Sequence, residues 1–360
     1  MIAIVLGTKA ELIKMFPVMK ELDKQNREYI FIHTGQHDIS DLCKQFNLRK
    51  PDTVLYSSPK LSSRFMVKTH KAVFWGLSLI PKIRKTLNKI KPDYVLYHGD
   101  TLTTAAVSIA SSSLLGNKKW KNCHLESGLR SGNLLEPFPE EISRRIADRF
   151  SDILFAVSKG TESFLKKRYP TKRIINTGNT IIDSIYEALK IEPSIQIPER
   201  PYCLVNTHRH ENIKSKKRMG KIVSIIESVG INVIWPLHDN TKKKLKEYGL
   251  LDRIEKNNKI ATTPLVSYVD FIRLLKSCKY IITDGGSIQE ESLELKKPCI
   301  LIRNYTERKE GLKTGINFLT SLDINYTKKL IRLLEGNRIE ITTFNNPYGK
   351  KGVSKKILGF

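Results

Sequence analysis

Paired cysteines are missing from this chain: its five, Cys43, Cys123, Cys203, Cys278 and Cys299, lie far apart with no CxxC among them. That excludes a disulfide framework or a cysteine zinc site, and the apolar surroundings read as reduced core thiols of a cytosolic protein. Zinc-finger spacing, an RNA-binding aromatic motif and a basic region leading into heptads are absent too, so specific nucleic-acid recognition has only charge behind it. Long hydrophobic runs are equally lacking. The opening MIAIVLGT meets Glu11 and Lys14 at once and shows no small-residue cleavage site, so it reads as a first strand rather than a secretory signal. The run VLYHGDTLTTAAVSIASSSLL carries an early Asp and modest hydrophobicity, so stable membrane insertion is not expected. Acidic residues are few: 36 Asp and Glu stand against 62 Lys and Arg, a net charge of +26. Such an excess could attract nucleic acid, an acidic membrane or a nucleotide, but patches such as KKRMGK and NTKKKLK fit a solvated lysine-rich surface.

What is present is a rhythm. Short apolar runs (IAIVLGT, EYIFIHTG, TVLYSS, DYVLYHGD, WKNCHLES, DILFAVS) alternate with amphipathic segments, including a long helix expected from Met66 to Lys89. Strands this apolar are covered on both faces, so residues 1–190 read as a parallel sheet flanked by helices. IEPSIQIPERP, polar and proline-rich, is the linker candidate. The rhythm restarts with YCLVNTH, and residues 200–340 read as a second doubly wound α/β domain, leaving 341–360 as a segment expected to pack back on the first. Two such Rossmann-like domains predict an interdomain cleft, with functional residues gathered beyond the carboxyl ends of the strands.

The densest chemistry lies between Asp100 and Arg145. Asp100 ends a strand and either caps the next helix or does chemistry. Glu126, in a loop flanked by His124 and Arg130, has no evident capping duty. Glu140 and Glu141 open a helix after Pro139, where they suit the helix dipole, but Arg144 and Arg145 follow on the same turn. Several carboxylates in one place push one another's pKa values apart, as acid and base roles require.

Elsewhere, Gly7-Thr8-Lys9 turns from a strand into a helix, where exposed amides with Lys9 and Lys14 would favour a phosphate, although strand–Gly–helix turns are common. In TDGGSIQEE, Gly285 and Gly286 allow close approach of a pyrophosphate to a helix start at Ser287, with Glu291 placed for a ribose diol; a plain cap by Asp284 or Ser287 is the alternative. His208, Arg209 and His210 end the first strand of the second domain without metal-ligand spacing, and His208 with Arg209 suits a sugar diphosphate. His238 is a weaker candidate of the same kind. Arg308, between two glutamates, could clamp a phosphate or only its neighbours.

In their order, GTKAELIKMFPV, HTGQH, HGDTLTT, HLESGLRSG, PFPEEISRRIAD, TGNTIIDS, THRHEN, PLHDNT, TDGGSIQEE and RNYTERKE resemble the non-hydrolysing UDP-N-acetylglucosamine 2-epimerase family over nearly the whole chain. The resemblance implies a GT-B fold in which the second domain holds the nucleotide and the aminosugar projects toward the first. It implies Asp100, Glu126 and Glu140 as catalytic carboxylates, His208 as an active-site histidine, and Lys14, Arg144, Glu291 and Arg308 as residues that bind the nucleotide sugar or organise the cleft. The chemistry it implies is loss of the C2 proton with elimination of UDP, then re-addition to a 2-acetamidoglucal. UDP-N-acetylglucosamine or a related UDP-aminosugar is the implied ligand and a homodimer the implied assembly; no metal or redox cofactor is called for. This chain departs from the family pattern at Lys9-Ala10 (usually Arg-Pro), at Gly285-Gly286-Ser287 (Ser-Gly-Gly), at His210 (Arg) and at Lys309 (Pro), all on the phosphate side. The alternatives are a hydrolysing epimerase, an epimerase acting on a modified sugar, a GT-B glycosyltransferase and a non-catalytic nucleotide-sugar-binding protein.

Overall fold

The computed structural model describes residues 1–56, 69–134, 138–341 and 344–360. The end of TVLYSS, the helix start expected at Met66 and Pro137 of the PFPEE motif lie outside the described residues. The chain forms two compact units, residues 1–184 with 347–360 and residues 185–346.

In the first unit, strands β1 (Ile2–Leu6), β2 (Tyr29–His33), β3 (Thr53–Val54), β4 (Tyr94–His98), β5 (Lys121–Ser127), β6 (Ile153–Ala156) and β7 (Arg173–Asn176) make a parallel sheet in the order β3-β2-β1-β4-β5-β6-β7. The helices are α1 (Lys9–Lys24), α2 (Ser40–Gln45), α3 (Thr69–Ile90), α4 (Leu102–Ala110), α5 (Glu140–Phe150), α6 (Lys159–Arg168) and α7 (Ile181–Ala188). Every residue of β1 is buried, as expected of a strand covered on both faces. Val5, Ile32 and Tyr97 of the sheet pack with Leu79, Leu87 and Val107 of α3 and α4. Strand order reverses between β1 and β4, which makes their carboxyl ends the topological switch point. Pro17 inside α1 has no N–H to give the Ile13 carbonyl; the Ser184 hydroxyl donates to that oxygen instead, at 2.6 Å.

In the second unit, β8 (Tyr202–Asn206), β9 (Asn232–Leu237), β10 (Ile260–Pro264), β11 (Tyr280–Thr283), β12 (Cys299–Leu301) and β13 (Asn317–Leu319) form a parallel sheet ordered β10-β9-β8-β11-β12-β13. This is the doubly wound order, with its switch point between β8 and β11. The helices are α8 (His210–Ile213), α9 (Lys216–Glu227), α10 (Asp239–Glu247), α11 (Leu251–Glu255), α12 (Tyr268–Ser277), α13 (Ile288–Glu294), α14 (Lys309–Leu312) and α15 (Ile324–Glu335). Trp235, fully buried, packs with Val205, Ile222 and Ile226 on one face, while Leu204, Leu274 and Leu301 pack on the other.

The division at 184/185 falls inside α7, upstream of the linker expected at 191–201. That stretch is docked instead: Ser194 donates its amide and its hydroxyl to Asp270, both at 2.7 Å, and Ile195 and Ile197 pack on the α12 face. The last helix, α16 (Val353–Leu358), belongs to the first unit. Asp183 accepts the Gly352 and Ser354 amides at its start, and the Phe360 ring meets Tyr94 and Phe155 edge-on. Among the described residues, no helix is long and apolar enough to cross a membrane.

Candidate active site

The carboxyl ends of β4 and β5 carry two carboxylates in different settings. Glu126 lies on β5 itself, not in the loop the sequence suggested. It sits where the β5–β6 register slips between Leu125 and Ser127, with φ at +65°, a left-handed conformation that costs an L-residue about 1–2 kcal/mol. Its side chain is 2% exposed and accepts from Lys14 Nζ at 2.6 Å and Asn179 Nδ2 at 2.7 Å. Lys14, expected to add positive charge for a phosphate or to organise the cleft, rests on this carboxylate.

Asp100 follows Gly99, and the cap of α4 is the next residue: Thr101 Oγ1 accepts the Thr104 amide at 3.1 Å. Freed from capping, the Asp100 carboxylate pairs with Arg144 Nη2. Arg144 is 2% exposed, and its Nη1 lies 3.4 Å from Glu141 Oε2, which also accepts the Ser131 amide at 3.1 Å. Glu141 thus anchors the segment after β5, while Glu140, partly exposed, occupies the first position of α5.

His124 is buried. Its Nε2 lies 2.8 Å from the Gly99 carbonyl and its Nδ1 2.8 Å from Asp148, whose other oxygen takes Arg130 Nη2 at 2.6 Å. Burial pushes the Asp148 carboxyl up, but the His124 hydrogen bond and the Arg130 charge outweigh it and hold the group below its ordinary value. His124 therefore ties β4, β5 and α5 together beneath the two carboxylates.

In the Gly7-Thr8-Lys9 turn the first two amides are already taken. Glu11 Oε2 accepts Gly7 N at 2.7 Å and Thr8 N at 2.8 Å, and Thr8 Oγ1 accepts the Glu11 amide, a capping box. Burial raises the Glu11 pKa against hydrogen bonds from Thr101 and the turn amides. Lys9 is exposed.

In the second unit, Asp284 does not cap α13. It accepts the His208 amide at 3.0 Å, the Arg209 amide at 3.1 Å and Asn212 Nδ2 at 2.9 Å, fixing the turn after β8. Ser287 starts α13 with no side-chain cap bond. Among the described residues, the Gly286 and Ser287 amides have no protein acceptor, so both remain available to an anion. A Cβ at Gly286 would lie 3.2 Å from Arg308 Nη1 and 3.3 Å from Arg209 Nη2, so glycine lets two guanidinium groups close on the backbone. Arg308 is buried, with Nε 2.8 Å from Glu290 and Nη1 on Glu307. Glu291 is buried on α13; burial and this neighbouring carboxylate push the Tyr268 phenol up. His208 is 46% exposed, lies 3.1 Å from Asn206 Oδ1 through Nδ1, and stacks on His238 at 6.3 Å between ring centroids. His238 also caps α10, accepting the Asn240 amide at 3.1 Å. Gly285 stands at the same turn, where a Cβ would meet Ile288 Cδ1 at 2.7 Å.

The structure thus joins Asp100 to Arg144 and Lys14 to Glu126 in the first unit, and gathers Arg209, Gly286 and Arg308 in the second. Sequence reasoning missed Asn179, Glu11 and Tyr268. TGNT directly after a strand was the available signal for Asn179, and Thr8 with Glu11 three residues on was the signal for the capping box. Among the described residues, no three His, Cys, Asp or Glu side chains are grouped so as to hold a metal ion.

Two doubly wound parallel-sheet units, each with polar side chains at the carboxyl ends of its strands, define an α/β protein of the GT-B class. The family model of UDP-N-acetylglucosamine 2-epimerase matches residues 20–360, and the chain belongs to that family. It is 34% identical to the UDP-N-acetylglucosamine 2-epimerase of Methanocaldococcus jannaschii over 99% of this chain and 97% of that one. A crystal structure of UDP-GlcNAc 2-epimerase from the same organism, in complex with UDP-GlcNAc and UDP, superposes with a TM-score of 0.83 at 33% identity, covering 99% of this chain and 98% of that one. The enzyme from Neisseria meningitidis bound to UDP-GlcNAc gives 0.85 at 29% identity, with the same coverage.

Proposed function

We propose that Asp100, Glu126 and Glu140 carry out proton transfer at C2 of UDP-N-acetylglucosamine, with Arg209, His208, Arg308, Glu291 and the amides at Gly286 and Ser287 recognising the nucleotide diphosphate. The protein is a non-hydrolysing epimerase that interconverts UDP-N-acetylglucosamine and UDP-N-acetylmannosamine. A carboxylate takes the C2 proton. The C–H electron pair becomes the C1–C2 double bond of 2-acetamidoglucal, and the C1–O pair leaves with UDP. On return, a carboxylic acid delivers a proton to the opposite face of C2 and a diphosphate oxygen of UDP closes on C1, so atoms and charge balance. A weakly acidic C–H needs a positioned base, and a departing diphosphate needs cationic and backbone donors.

The observation that carries this reading is the contrast between the two first-unit carboxylates. Asp100 rests on a guanidinium, whereas Glu126 takes an ammonium and a neutral amide donor. Unequal settings for neighbouring carboxyl groups are what paired acid and base roles require. Proton NMR of the protein with UDP-N-acetylglucosamine in D2O tests it. UDP-N-acetylmannosamine carrying deuterium at C2 is the expected product; free N-acetylmannosamine with UDP would instead make the protein a hydrolysing enzyme.

The protein also acts as a homodimer on this reading. Val73, Phe74 and Leu77 stand exposed on α3, Phe74 by 70%, an apolar patch suited to a second copy. Phe74→Glu should convert a dimer to a monomer in light scattering, and a wild-type monomer would refute the assignment. A cytoplasmic setting is supported by five free, buried cysteines, with burial pushing the Cys278 thiol up to about 12.

A further inference from the structure

Glu126 is held from outside the carboxylate cluster by Asn179, and Asn179 is held by the C-terminal segment. Asn179 follows β7. Gly178 before it stands at φ +89°, so close to the returning chain that a Cβ would fall 2.6 Å from the Tyr348 carbonyl. The Asn179 amide donates to that carbonyl at 2.8 Å. Its side chain is oriented by its own bonds: Oδ1 accepts the Ile181 amide at 3.1 Å, which turns Nδ2 toward Glu126 Oε2 at 2.7 Å. Four residues on, Asp183 accepts the Gly352 and Ser354 amides at 2.6 and 2.7 Å, clamping the same returning segment.

Lys14 reaches the same carboxylate oxygen, but the two donors differ in kind. A lysine ammonium on a flexible stem supplies charge and little direction. The Asn179 amide is planar, buried and bonded at both ends, so it fixes where the Glu126 oxygen points. That matters for a carboxylate on a left-handed residue at a strand irregularity, whose backbone alone sets only part of its aim. We propose that Asn179 is a positioning residue for Glu126, presented by the C-terminal segment that binds its backbone. The proposal rests on the reading of Glu126 as a catalytic carboxylate.

Asn179→Asp is the primary test. Aspartate keeps the oxygen that accepts the Ile181 amide, so a residue that merely starts α7 would tolerate it. The donor toward Glu126, however, becomes a second carboxylate oxygen. The expected result is a kcat lower by on the order of 100-fold with KM for UDP-N-acetylglucosamine within about threefold. The acidic limb of the kcat profile should move to higher pH, because facing carboxylates share a proton. Asn179→Ser covers the case in which the aspartate variant fails to fold: serine keeps a turn-forming oxygen but cannot reach Glu126, and the same fall in kcat is expected without repulsion. Near-normal kcat and an unmoved acidic limb in either folded variant would overturn the positioning role. Glu126→Gln, assayed alongside, separates the two layers. Near-normal turnover there removes Glu126 from the catalytic set and the proposal with it, whereas an inactive Glu126→Gln beside active Asn179 variants defeats only the role of Asn179.

Discussion

Arg144 lays its guanidinium on the Asp100 carboxylate from a position only 2% exposed, with Glu141 3.4 Å away on its other side. One buried cation thus compensates two carboxylates that lie far apart in sequence, and it binds the HGD turn to α5. Arg144→Met should therefore cost about 3–5 kcal/mol in chemical denaturation, because it takes the cation from Asp100, while Glu141 keeps Arg145 at 3.1 Å. Asp100→Asn should keep the fold and lower kcat by roughly 100- to 10,000-fold while UDP affinity stays nearly unchanged in calorimetry. Near-normal turnover would remove Asp100 from the catalytic set.

Asp148 gives a pH dependence whose sign is fixed. Its folded pKa lies below the ordinary carboxylate value, near 3.9 in the unfolded chain, so the unfolded state binds more protons between the two. The stability it contributes is fully present above about pH 4 and drains away as pH falls through the folded pKa. Asp148→Asn should lower stability at pH 7 by about 3–5 kcal/mol and flatten the loss of stability on acidification. Urea melts of both proteins from pH 7 to pH 3 check this; parallel slopes would show that the His124–Asp148–Arg130 network carries no such linkage.

The layers of the fold were legible because parallel strands buried on both faces write themselves as continuous apolar runs, and β1, β4 and β8 do so plainly. The Asp100, Glu126 and Arg144 region was legible from its density of charge. Backbone geometry and long-range partners were not. ESG after an apolar run reads as a loop, and only pairing with β6 reveals that Glu126 stays in the strand at positive φ. The Glu126–Asn179 bond spans 53 positions and leaves no local pattern. The glycine of Gly7-Thr8-Lys9 marks the turn, but the Thr8–Glu11 pair that caps α1 and takes two of its amides is the less conspicuous signal. The boundary in α7 escaped because proline density marks where a chain is extended, and Asp270 holds that extended stretch in place.

Gly286 has no need of a special backbone conformation; what it lacks is room. A Cβ there would stand 3.1 Å from Glu307 Oε1 and barely farther from the Arg308 and Arg209 guanidinium groups, and Arg308 is too well paired to retreat. Gly286→Ala should weaken UDP binding about tenfold, or about 1.4 kcal/mol, and should also lower the melting temperature, because the crowded Glu307 and Arg308 side chains must shift to admit the methyl group. Isothermal titration with UDP decides it, and unaltered affinity would place the nucleotide away from this turn.

Asp183 offers a way to loosen the C-terminal segment without touching any residue of the carboxylate set. Its two oxygens accept the Gly352 and Ser354 amides at the start of α16, and replacing a capping acceptor with alanine costs about 1–2 kcal/mol. Asp183→Ala should therefore lower the melting temperature and speed proteolysis of residues 347–360. The segment keeps other holds, in the Arg27 bond to the Leu358 carbonyl and the packing of Phe360, so the variant should still fold. Because Tyr348 presents its carbonyl to the Asn179 amide, kcat should fall as well, measured far below the melting temperature where all the protein is folded. A tail that serves stability alone would show the drop in melting temperature with kcat unchanged.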